Sequence, residues 1–350
     1  ALVRARQADC PVVLGSATPS LESLRNVQLE RYQRLNLPAR AGNAQLPELA
    51  LLDIRSAHLE GGLSPALLRH IRDNLASGQQ SMLFLNRRGF APVLTCHACG
   101  WLSECPSCDA RMTLHLESQR LWCHHCGQQQ RIPEICPSCA SPDLRPLGQG
   151  TERLETALRR HFPDTPIARI DRDSTQRKGS LQRLLREIRA GHYPLLIGTQ
   201  MLAKGHHFPD ITLVGLIDVD QGLFGADYRA SERMAQLIMQ VAGRAGRADK
   251  PGKVLIQTRH PDHPLLQTLT HQGYDAFARE ALSERRLANL PPFSYQVLLR
   301  AESTQRESPG LFLQAAADCG KTLANAAQFE FWGPVPAPME RRCLLYTSPS

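Results

Sequence analysis

The sequence has 350 residues, of which 42% are hydrophobic and 21% charged, as is typical of a globular protein with two or three domains. It contains no run of roughly 18 apolar residues, which a membrane span requires, and its first residues lack the layout of a secretion signal. We therefore expect a cytoplasmic protein with reduced cysteines and no membrane partner. The formal net charge of +8 is compatible with a nucleic-acid partner but does not establish one.

The first part of the chain predicts the beginning of an α/β sheet. Residues 11–14 (Pro-Val-Val-Leu) indicate a short buried strand that runs into a turn containing Ser16 and Thr18. Hydroxyls at the carboxyl edge of a sheet suit a ligand site, although such residues more often cap helices and turns. Because the chain starts in mid-domain, we expect an upstream segment. Further predicted elements are a helix at 21–31, a linker at 37–62 with a strand at 49–54, a helix at 64–76 and a buried strand at 81–86.

Strands and helices alternate again from residue 151 onward, which predicts a parallel sheet with helices on both faces. A long helix at 263–287 then leads to the helix-breaking pair Pro291-Pro292, and a small α+β domain follows. The predicted elements of the sheet are helices at 151–161, 179–190 and 230–242 and strands at 166–171, 194–199, 211–218 and 252–258. Those of the small domain are a strand at 295–302, a helix at 310–326 and the start of a strand at 329–332.

Four Cys-x-x-Cys knuckles lie between residues 96 and 139 and hold eight of the eleven cysteines. Each knuckle offers two thiolates to one metal ion, so four knuckles make two complete Cys₄ sites. Disulfides belong to secreted chains, and a redox site needs only one such pair. We therefore predict two structural Zn²⁺ ions, bound by Cys96, Cys99, Cys105, Cys108, Cys123, Cys126, Cys136 and Cys139.

The spacing of the knuckles favours a nested arrangement. The second and third knuckles flank a stretch typical of a zinc-ribbon hairpin, with strands at 112–115 and 119–122, so the first and fourth knuckles would form the other site. The alternative pairs the knuckles sequentially, which would require a very tight loop between Cys99 and Cys105. Four histidines near the knuckles are alternative ligands, but eight cysteines already suffice: His97, His115, His124 and His125.

The sharpest remaining motif is Gln-Val-Ala-Gly-Arg-Ala-Gly-Arg at 240–247. Arg244 and Arg247 are three residues apart, so they would share one face of a helix end. A guanidinium matches phosphate oxygens, and glycines allow close approach, as in arginine fingers that stabilise a transferring phosphoryl group. The alternative is a basic helix terminus that complements the helix dipole.

This motif resembles motif VI of the superfamily-two helicases. Residues 14–20 (LGSATPS) resemble motif III, and residues 197–209 (IGTQMLAKGHHFP) resemble motif V. The cysteine block after LFLNRRGFAP at 83–92, together with RIDRDSTQRKG at 169–179, narrows the resemblance to the replication-restart helicases of the primosomal protein N′ family. The resemblance extends from about residue 10 to about residue 340.

The resemblance implies an α/β fold with a RecA-like parallel-sheet lobe, an inserted double zinc-binding module and a small α+β C-terminal domain. Residues 1–37 would end a first RecA-like lobe, and residues 38–93 with 143–287 would form the second lobe. The zinc insert would span 94–142, and a truncated C-terminal domain would span 288–350.

The resemblance also implies roles for individual residues. Arg244 and Arg247 would contact ATP phosphates, and Gln240 would couple that site to lobe closure. Motif V would meet the phosphates of the tracked strand and relay the nucleotide state through Thr199, Gln200 and Gly205, and motif III would couple hydrolysis to movement through Ser16 and Thr18.

Two helicase motifs are missing from the sequence. It has no G-x-x-x-x-G-K-[ST] and no Asp-Glu-x-His, and the decoy Gly320-Lys321-Thr322 has Ala315 where the first glycine is needed. We therefore expect ATP and Mg²⁺ to bind the full-length protein through an upstream lobe, and the chain alone to be inactive. Residues 343–350 lack the basic, aromatic strand that the family has there.

The predicted function is an ATP-dependent 3′→5′ DNA helicase of replication restart, which assembles the primosome at stalled or repaired forks. By resemblance its partners are branched and single-stranded DNA, single-strand DNA-binding protein and other primosome proteins, and its location is the bacterial cytoplasm at the nucleoid. The alternatives are a non-catalytic zinc-ribbon module that binds DNA or protein, which would not need motifs III and VI, and another superfamily-two translocase, which would lack the eight cysteines.

Overall fold

A computed structural model of the chain describes residues 1–37, 47–85, 93–96, 98–115, 118–123, 126–147, 151–170, 180–199, 210–217, 219–224, 227–246, 252–335, 341–342 and 345–349. These residues form two compact units, Ala1–Arg87 with Thr151–Tyr295 and Arg88–Gly150 with Gln296–Ser350. The lobe and domain boundaries expected from the sequence remain a prediction. No helix in the described ranges is both long and apolar enough to cross a membrane.

The strands and α-helices are numbered in chain order. The strands are β1 (Glu48–Asp53), β2 (Gln80–Leu85), β3 (Val93–Cys96), β4 (Thr113–His115), β5 (Arg120–Trp122), β6 (Gln129–Arg131), β7 (Leu144–Leu147), β8 (Ile167–Ile170), β9 (Leu195–Gly198), β10 (Ile211–Ile217), β11 (Lys253–Thr258), β12 (Arg300–Ser303), β13 (Arg341–Arg342) and β14 (Leu345–Pro349). The helices are α1 (Leu2–Gln7), α2 (Leu21–Gln28), α3 (Pro65–Ala76), α4 (Thr151–His161), α5 (Ser180–Arg189), α6 (Ala230–Ala242), α7 (Pro264–Gln272), α8 (Tyr274–Leu287) and α9 (Ser308–Lys321).

The first unit contains a six-stranded sheet in the order β1-β11-β10-β2-β9-β8, in which every pair of neighbours is parallel. The two central strands, β10 and β2, are buried along their whole length, because helices cover both faces. This architecture confirms the predicted α/β fold with a RecA-like parallel sheet.

Alternate residues of β2 point to opposite faces of the sheet. Leu83 and Leu85 pack in one hydrophobic cluster with α3 and α4. Met82 and Phe84 pack in a second cluster with residues of α6, α7 and α8. The consecutive apolar residues Met82–Leu85 therefore face both layers of helices, and each such side chain contributes about 1.5–3 kcal/mol when it is fully buried.

Two predicted elements near the ends of the first unit are wrong. Residues 11–14 form no strand, and Val13 and Leu14 are 84% and 54% exposed, because no strand of the described residues lies beside them to pair with. The predicted helix at 263–287 is two helices, α7 and α8, separated by Gly273 in the left-handed region at φ 80°.

The strand predicted at 49–54 within the linker at 37–62 is present as β1, one residue earlier than predicted. β1 pairs in parallel with β11 from Glu48 to Asp53. The linker residues 38–46 lie outside the described residues.

The second unit contains a three-stranded sheet in the order β12-β14-β13. The predicted strand at 295–302 is confined to Arg300–Ser303, and residues 329–332 form no strand. The strand that completes the sheet comes instead from the tail, where no strand was predicted, since Leu345–Pro349 pairs antiparallel with β12. The predicted helix at 310–326 is α9, Ser308–Lys321.

Candidate functional site

The four Cys-x-x-Cys knuckles share one backbone turn. In each knuckle the N–H of the first cysteine donates to the carbonyl five residues later at 2.8 Å; the pairs are Cys96 with Trp101, Cys105 with Ala110, Cys123 with Gln128 and Cys136 with Ser141. The fourth residue after the first cysteine is left-handed in three of the knuckles, at Gly100 (φ 77°), Gly127 (φ 84°) and Ala140 (φ 58°). This turn brings both cysteine side chains of a knuckle to one side.

The eight cysteines form two groups in the nested arrangement. The outer Cys₄ site consists of Cys96, Cys99, Cys136 and Cys139, and the inner Cys₄ site consists of Cys105, Cys108, Cys123 and Cys126. All four Sγ atoms of a site lie within 4.8 Å of one another. The sequential pairing that the sequence left as an alternative is not the one found.

The sulfur separations fit a zinc ion and not a disulfide. The Sγ atoms of Cys96 and Cys139 are 3.6 Å apart, and those of Cys108 and Cys123 are 3.5 Å apart. A zinc ion with Zn–S bonds of about 2.3 Å has tetrahedral sulfur edges of about 3.8 Å, whereas a disulfide has an S–S bond of about 2.0 Å. Each site is therefore able to bind a zinc ion. Because its four thiolates leave no open position for a substrate, that ion would be structural.

The inner site lies within a small hydrophobic core. Its cysteines pack against Leu94, Met112, Leu114 and Leu121 on strands β3 to β5 and the adjoining turn. A hydrogen bond from the backbone N–H of Gln128 lowers the pKa of Cys126 to about 7, whereas burial raises the pKa of Cys108. The thiolate form that zinc requires is thus favoured at the partly exposed edge of this site.

The outer site is more open to solvent. Cys99 and Cys139 are exposed, and Cys96 and Cys136 are buried. Of the alternative histidine ligands, His115 belongs to neither group among the described residues and lies beside Trp122, with ring centroids 5.6 Å apart. His97, His124 and His125 lie outside the described residues.

Motif VI begins on the last turn of α6, but its arginine-bearing part lies in a turn beyond the helix. Helix α6 ends at Ala242, and Arg244 follows in a turn, so helical spacing does not set its direction. Gly246 has φ 66°, and its N–H donates to the carbonyl of Ile211 at 2.9 Å, which places the turn at the amino end of β10. Gln240 is exposed on α6, and Arg247 lies outside the described residues.

Motif V begins at the carboxyl ends of the parallel strands, opposite to the turn of motif VI. Thr199 directly follows β9, and its N–H donates to the carbonyl of Ile170 at 3.4 Å. The other two predicted residues of this motif, Gln200 and Gly205, lie outside the described residues. Thr199 and Arg244 are therefore at opposite ends of parallel strands, so one ligand group cannot contact both.

Motif III is a turn that docks on α6. The N–H of Thr18 donates to Oγ of Ser16 at 3.0 Å, and Ser20 caps α2 by accepting from the N–H of Ser23. Ser16 is exposed, whereas Thr18 is buried. The carbonyl of Thr18 accepts a hydrogen bond from Nε2 of Gln236 at 3.3 Å, a contact that the sequence did not predict.

Sequence reasoning also missed the buried residues beneath motif III. Glu232 and Arg285 form an ion pair at 2.8 Å with both side chains 5% exposed. One signal was available, because Glu232, Gln236 and Gln240 recur every four residues along α6 and so share one face. The partner Arg285 carried no signal.

Two family models match the chain. The model described as "PriA DNA helicase Cys-rich region (CRR) domain" covers residues 105–131, which contain the inner site. The model described as "Helicase conserved C-terminal domain" covers residues 147–249, which run from β7 to the turn of motif VI.

Curated relatives match nearly the whole chain. "Replication restart protein PriA" of Haemophilus influenzae is 49% identical over 346 residues, which are 99% of this chain and 47% of the relative. Over nearly its whole length the chain therefore resembles the PriA proteins. The PriA of Bacillus subtilis is 39% identical over 97% of this chain and 43% of the relative, and that of Synechocystis is 39% identical over 97% and 42%.

The chain thus spans about half the length of the PriA proteins that it matches. Among solved structures, "S. cerevisiae Dbp5 bound to RNA and ADP BeF3" matches with a TM-score of 0.38 and 14% identity, covering 80% of this chain and 58% of that one.

Proposed function

We propose that this chain supplies the second motor lobe and the zinc module of an ATP-dependent DNA helicase that restarts replication. The full-length protein would translocate 3′→5′ and assemble the primosome at stalled or repaired forks, at the nucleoid in the cytoplasm. Its partners would be branched and single-stranded DNA, single-strand DNA-binding protein and other primosome proteins. The observation that carries this proposal is the 49% identity to a PriA over 99% of the chain.

The proposed roles divide between the two ends of the parallel strands. Arg244 and Arg247 would stabilise negative charge on the ATP phosphates, and a guanidinium suits this because its planar fork stays charged. Thr199 and Gln200 would contact DNA phosphates at the carboxyl ends of the strands. Gly205 would belong to the loop that couples this contact to the nucleotide. ATP and Mg²⁺ would supply the phosphoryl group and its charge neutralisation, bound mainly by a lobe that carries a P-loop.

The zinc ions in this proposal are structural. The two Cys₄ sites hold together a module whose strands β4 and β5 are only three residues long each. Strands that short do not form a stable unit by themselves, so zinc binding supplies folding free energy.

The test compares the chain with the full-length protein. We expect the chain alone not to hydrolyse ATP, and the full-length protein to hydrolyse ATP with stimulation by DNA and to unwind a fork from a 3′ single strand. Arg244→Ala in the full-length protein should lower kcat at least about a hundredfold, since removal of a charge-stabilising group typically costs that much. Arg34→Ala is the matched control, because Arg34 forms an exposed pair with Asp275 away from the motif.

Each outcome separates two functions. A full-length protein without DNA-stimulated ATP hydrolysis would overturn the helicase proposal and favour the non-catalytic zinc-ribbon module. ATP hydrolysis by the chain alone would overturn the division of the motor between two lobes. Unwinding that starts only from a 5′ single strand would overturn the proposed 3′→5′ direction, but the helicase proposal itself would stand.

A further inference from the structure

Along residues 11–22 the chain is exposed up to Ala17 and becomes buried at Thr18. Val13 is 84% exposed, whereas Thr18 is 6% exposed and Leu21 is fully buried in the hydrophobic cluster beneath α6. The part that is buried or bonded, residues 18–22, is called the docked segment below. It contains the end of the Ser-Ala-Thr-Pro motif and the first residues of α2.

Side chains of α6 and α8 bind the backbone of the docked segment. The N–H of Leu21 donates to Oε1 of Glu232 at 3.0 Å, and this bond is buried. The hydroxyl of Tyr274 donates to the carbonyl of Pro19 at 2.8 Å. Burial raises the pKa of Tyr274 to about 12, so its hydroxyl keeps its proton at neutral pH and remains a donor.

Two further contacts lie on either side of these. Gln236 donates from Nε2 to the carbonyl of Thr18 at 3.3 Å. Arg229 donates to Oε1 of Glu22 at 2.8 Å. The docked segment is therefore held at its start, its middle and its end by side chains that are more than 200 residues away in the chain.

The carboxylate of Glu232 is fixed by a buried cation. Arg285 donates from Nη2 to Oε2 of Glu232 at 2.8 Å and to the carbonyl of Tyr228 at 3.2 Å. Its other terminal nitrogen donates to the carbonyl of Pro291 at 3.2 Å. A buried ion pair with this many hydrogen bonds fixes one geometry, because any other leaves a charge unpaired away from water.

The same face of α6 leads from the docked segment to motif VI. Glu232, Gln236 and Gln240 are spaced four residues apart, so they lie along one face, and Gln240 is about 12 Å from Glu232 along the helix axis. Arg244 follows two residues after the helix ends. A shift of the docked segment would therefore act on the helix that carries Gln240.

We infer that Glu232, Gln236, Tyr274 and Arg285 are positioning residues that transmit movement of the Ser-Ala-Thr-Pro motif to motif VI through α6. This inference rests on the proposed helicase function and assigns the coupling to specific residues outside the helicase motifs. These residues act through the docked segment and α6. They hold the docked segment and α6 as one body, so a displacement of the exposed Ser16 and Ala17 that pulls on Thr18 is passed to α6.

The test is a kinetic split in the full-length protein. Tyr274→Phe removes one hydroxyl and its hydrogen bond to Pro19, with the buried ring retained. We expect kcat of DNA-stimulated ATP hydrolysis to fall at least about fivefold and the number of base pairs unwound per ATP to fall as well, while KM for ATP and the affinity for DNA stay within about twofold. The unfolding midpoint should change by no more than a few degrees.

Tyr193→Phe is the matched control, because its hydroxyl donates to Glu187 at 3.3 Å away from the docked segment. Equal kcat values for Tyr274→Phe and Tyr193→Phe in an active protein would overturn the inference and leave the helicase function standing. A wild-type protein without ATP hydrolysis would overturn both. If Tyr274→Phe fails to fold, Gln236→Ala decides, since it must show the same loss of kcat at unchanged KM.

Discussion

The Nη2 atom of Arg285 lies 2.8 Å from Oε2 of Glu232, and each side chain is only 5% exposed. The pair joins α8 to α6 across 53 residues of sequence, and the other oxygen of Glu232 accepts the N–H of Leu21. Desolvation offsets much of the attraction between two buried charges, so the pair specifies a geometry more than it adds stability. Removal of one partner is nevertheless costly, because the other charge then stays buried alone.

Arg285→Met should destabilise the zinc-loaded chain by about 3–5 kcal/mol, measured by urea unfolding. Adding Glu232→Gln should recover part of that loss, since the unpaired charge is then removed. Asp275→Asn on the same helix is the control, and it should cost less than about 1 kcal/mol because its pair with Arg34 is exposed. Equal costs for Arg285→Met and Asp275→Asn would contradict this account.

Zinc release should occur in two phases. The purified chain should contain two zinc ions, and a chelating dye should remove the outer ion first, because Cys99 and Cys139 are exposed whereas three ligands of the inner site are buried. Cys139→Ser should abolish the fast phase, and Cys126→Ser should abolish the slow phase. Cys319→Ser, which changes an exposed cysteine in neither site, should leave both phases unchanged. A single phase would show that exposure does not control release.

The parallel sheet and the grouping of cysteines could be predicted from the sequence because each depends on a local pattern. Strands such as Ile211–Ile217 are buried at every position and apolar except at Thr212, as expected of a strand that is covered on both faces. The nested grouping follows from the lengths of the gaps between knuckles. Both patterns are read within a few tens of residues.

Features that depend on distant contacts could not be predicted. The pairing of Leu345–Pro349 with β12 joins segments more than 40 residues apart, and no pattern in either segment indicates that the other is its partner. The direction of Arg244 depends on the left-handed Gly246 and its bond to Ile211, which helical spacing ignores. The predicted strand at 11–14 failed because a strand needs a neighbour as well as an apolar pattern.

The left-handed position in the knuckles offers a reciprocal pair of substitutions. Ala140 has φ 58° where Gly127 has φ 84° in the third knuckle. A residue with a side chain pays about 1–2 kcal/mol for this left-handed conformation. Glycine avoids that cost, but it loses more conformational entropy on folding, which offsets part of the gain. Ala140→Gly should therefore stabilise the module by up to about 1 kcal/mol, and Gly127→Ala should destabilise it by a similar amount. Thermal unfolding followed by tryptophan fluorescence measures both, and the same sign for the two changes would contradict the argument.

Gly252 supports the turn of motif VI by having no side chain. A Cβ at this position would lie 2.5 Å from the carbonyl oxygen of Ala245 and 2.5 Å from the nitrogen of Gly246, which are backbone atoms that cannot rotate away. Gly252→Ala should therefore displace the backbone next to Arg244 and lower kcat/KM for ATP in the full-length protein at least about tenfold, equivalent to about 1.4 kcal/mol. Both zinc ions should be retained, since the knuckles do not involve this turn.

The control for this substitution is Gly310→Ala, because a Cβ on Gly310 in α9 meets nothing within 4 Å. It should leave kcat/KM unchanged and should stabilise α9 slightly, since alanine favours a helix by about 1 kcal/mol over glycine. Wild-type kcat/KM in Gly252→Ala would mean that the turn shifts without moving Arg244. In that case the contact between Gly252 and the turn would serve stability alone, and the placement of Arg244 would depend on Gly246 and Ile211.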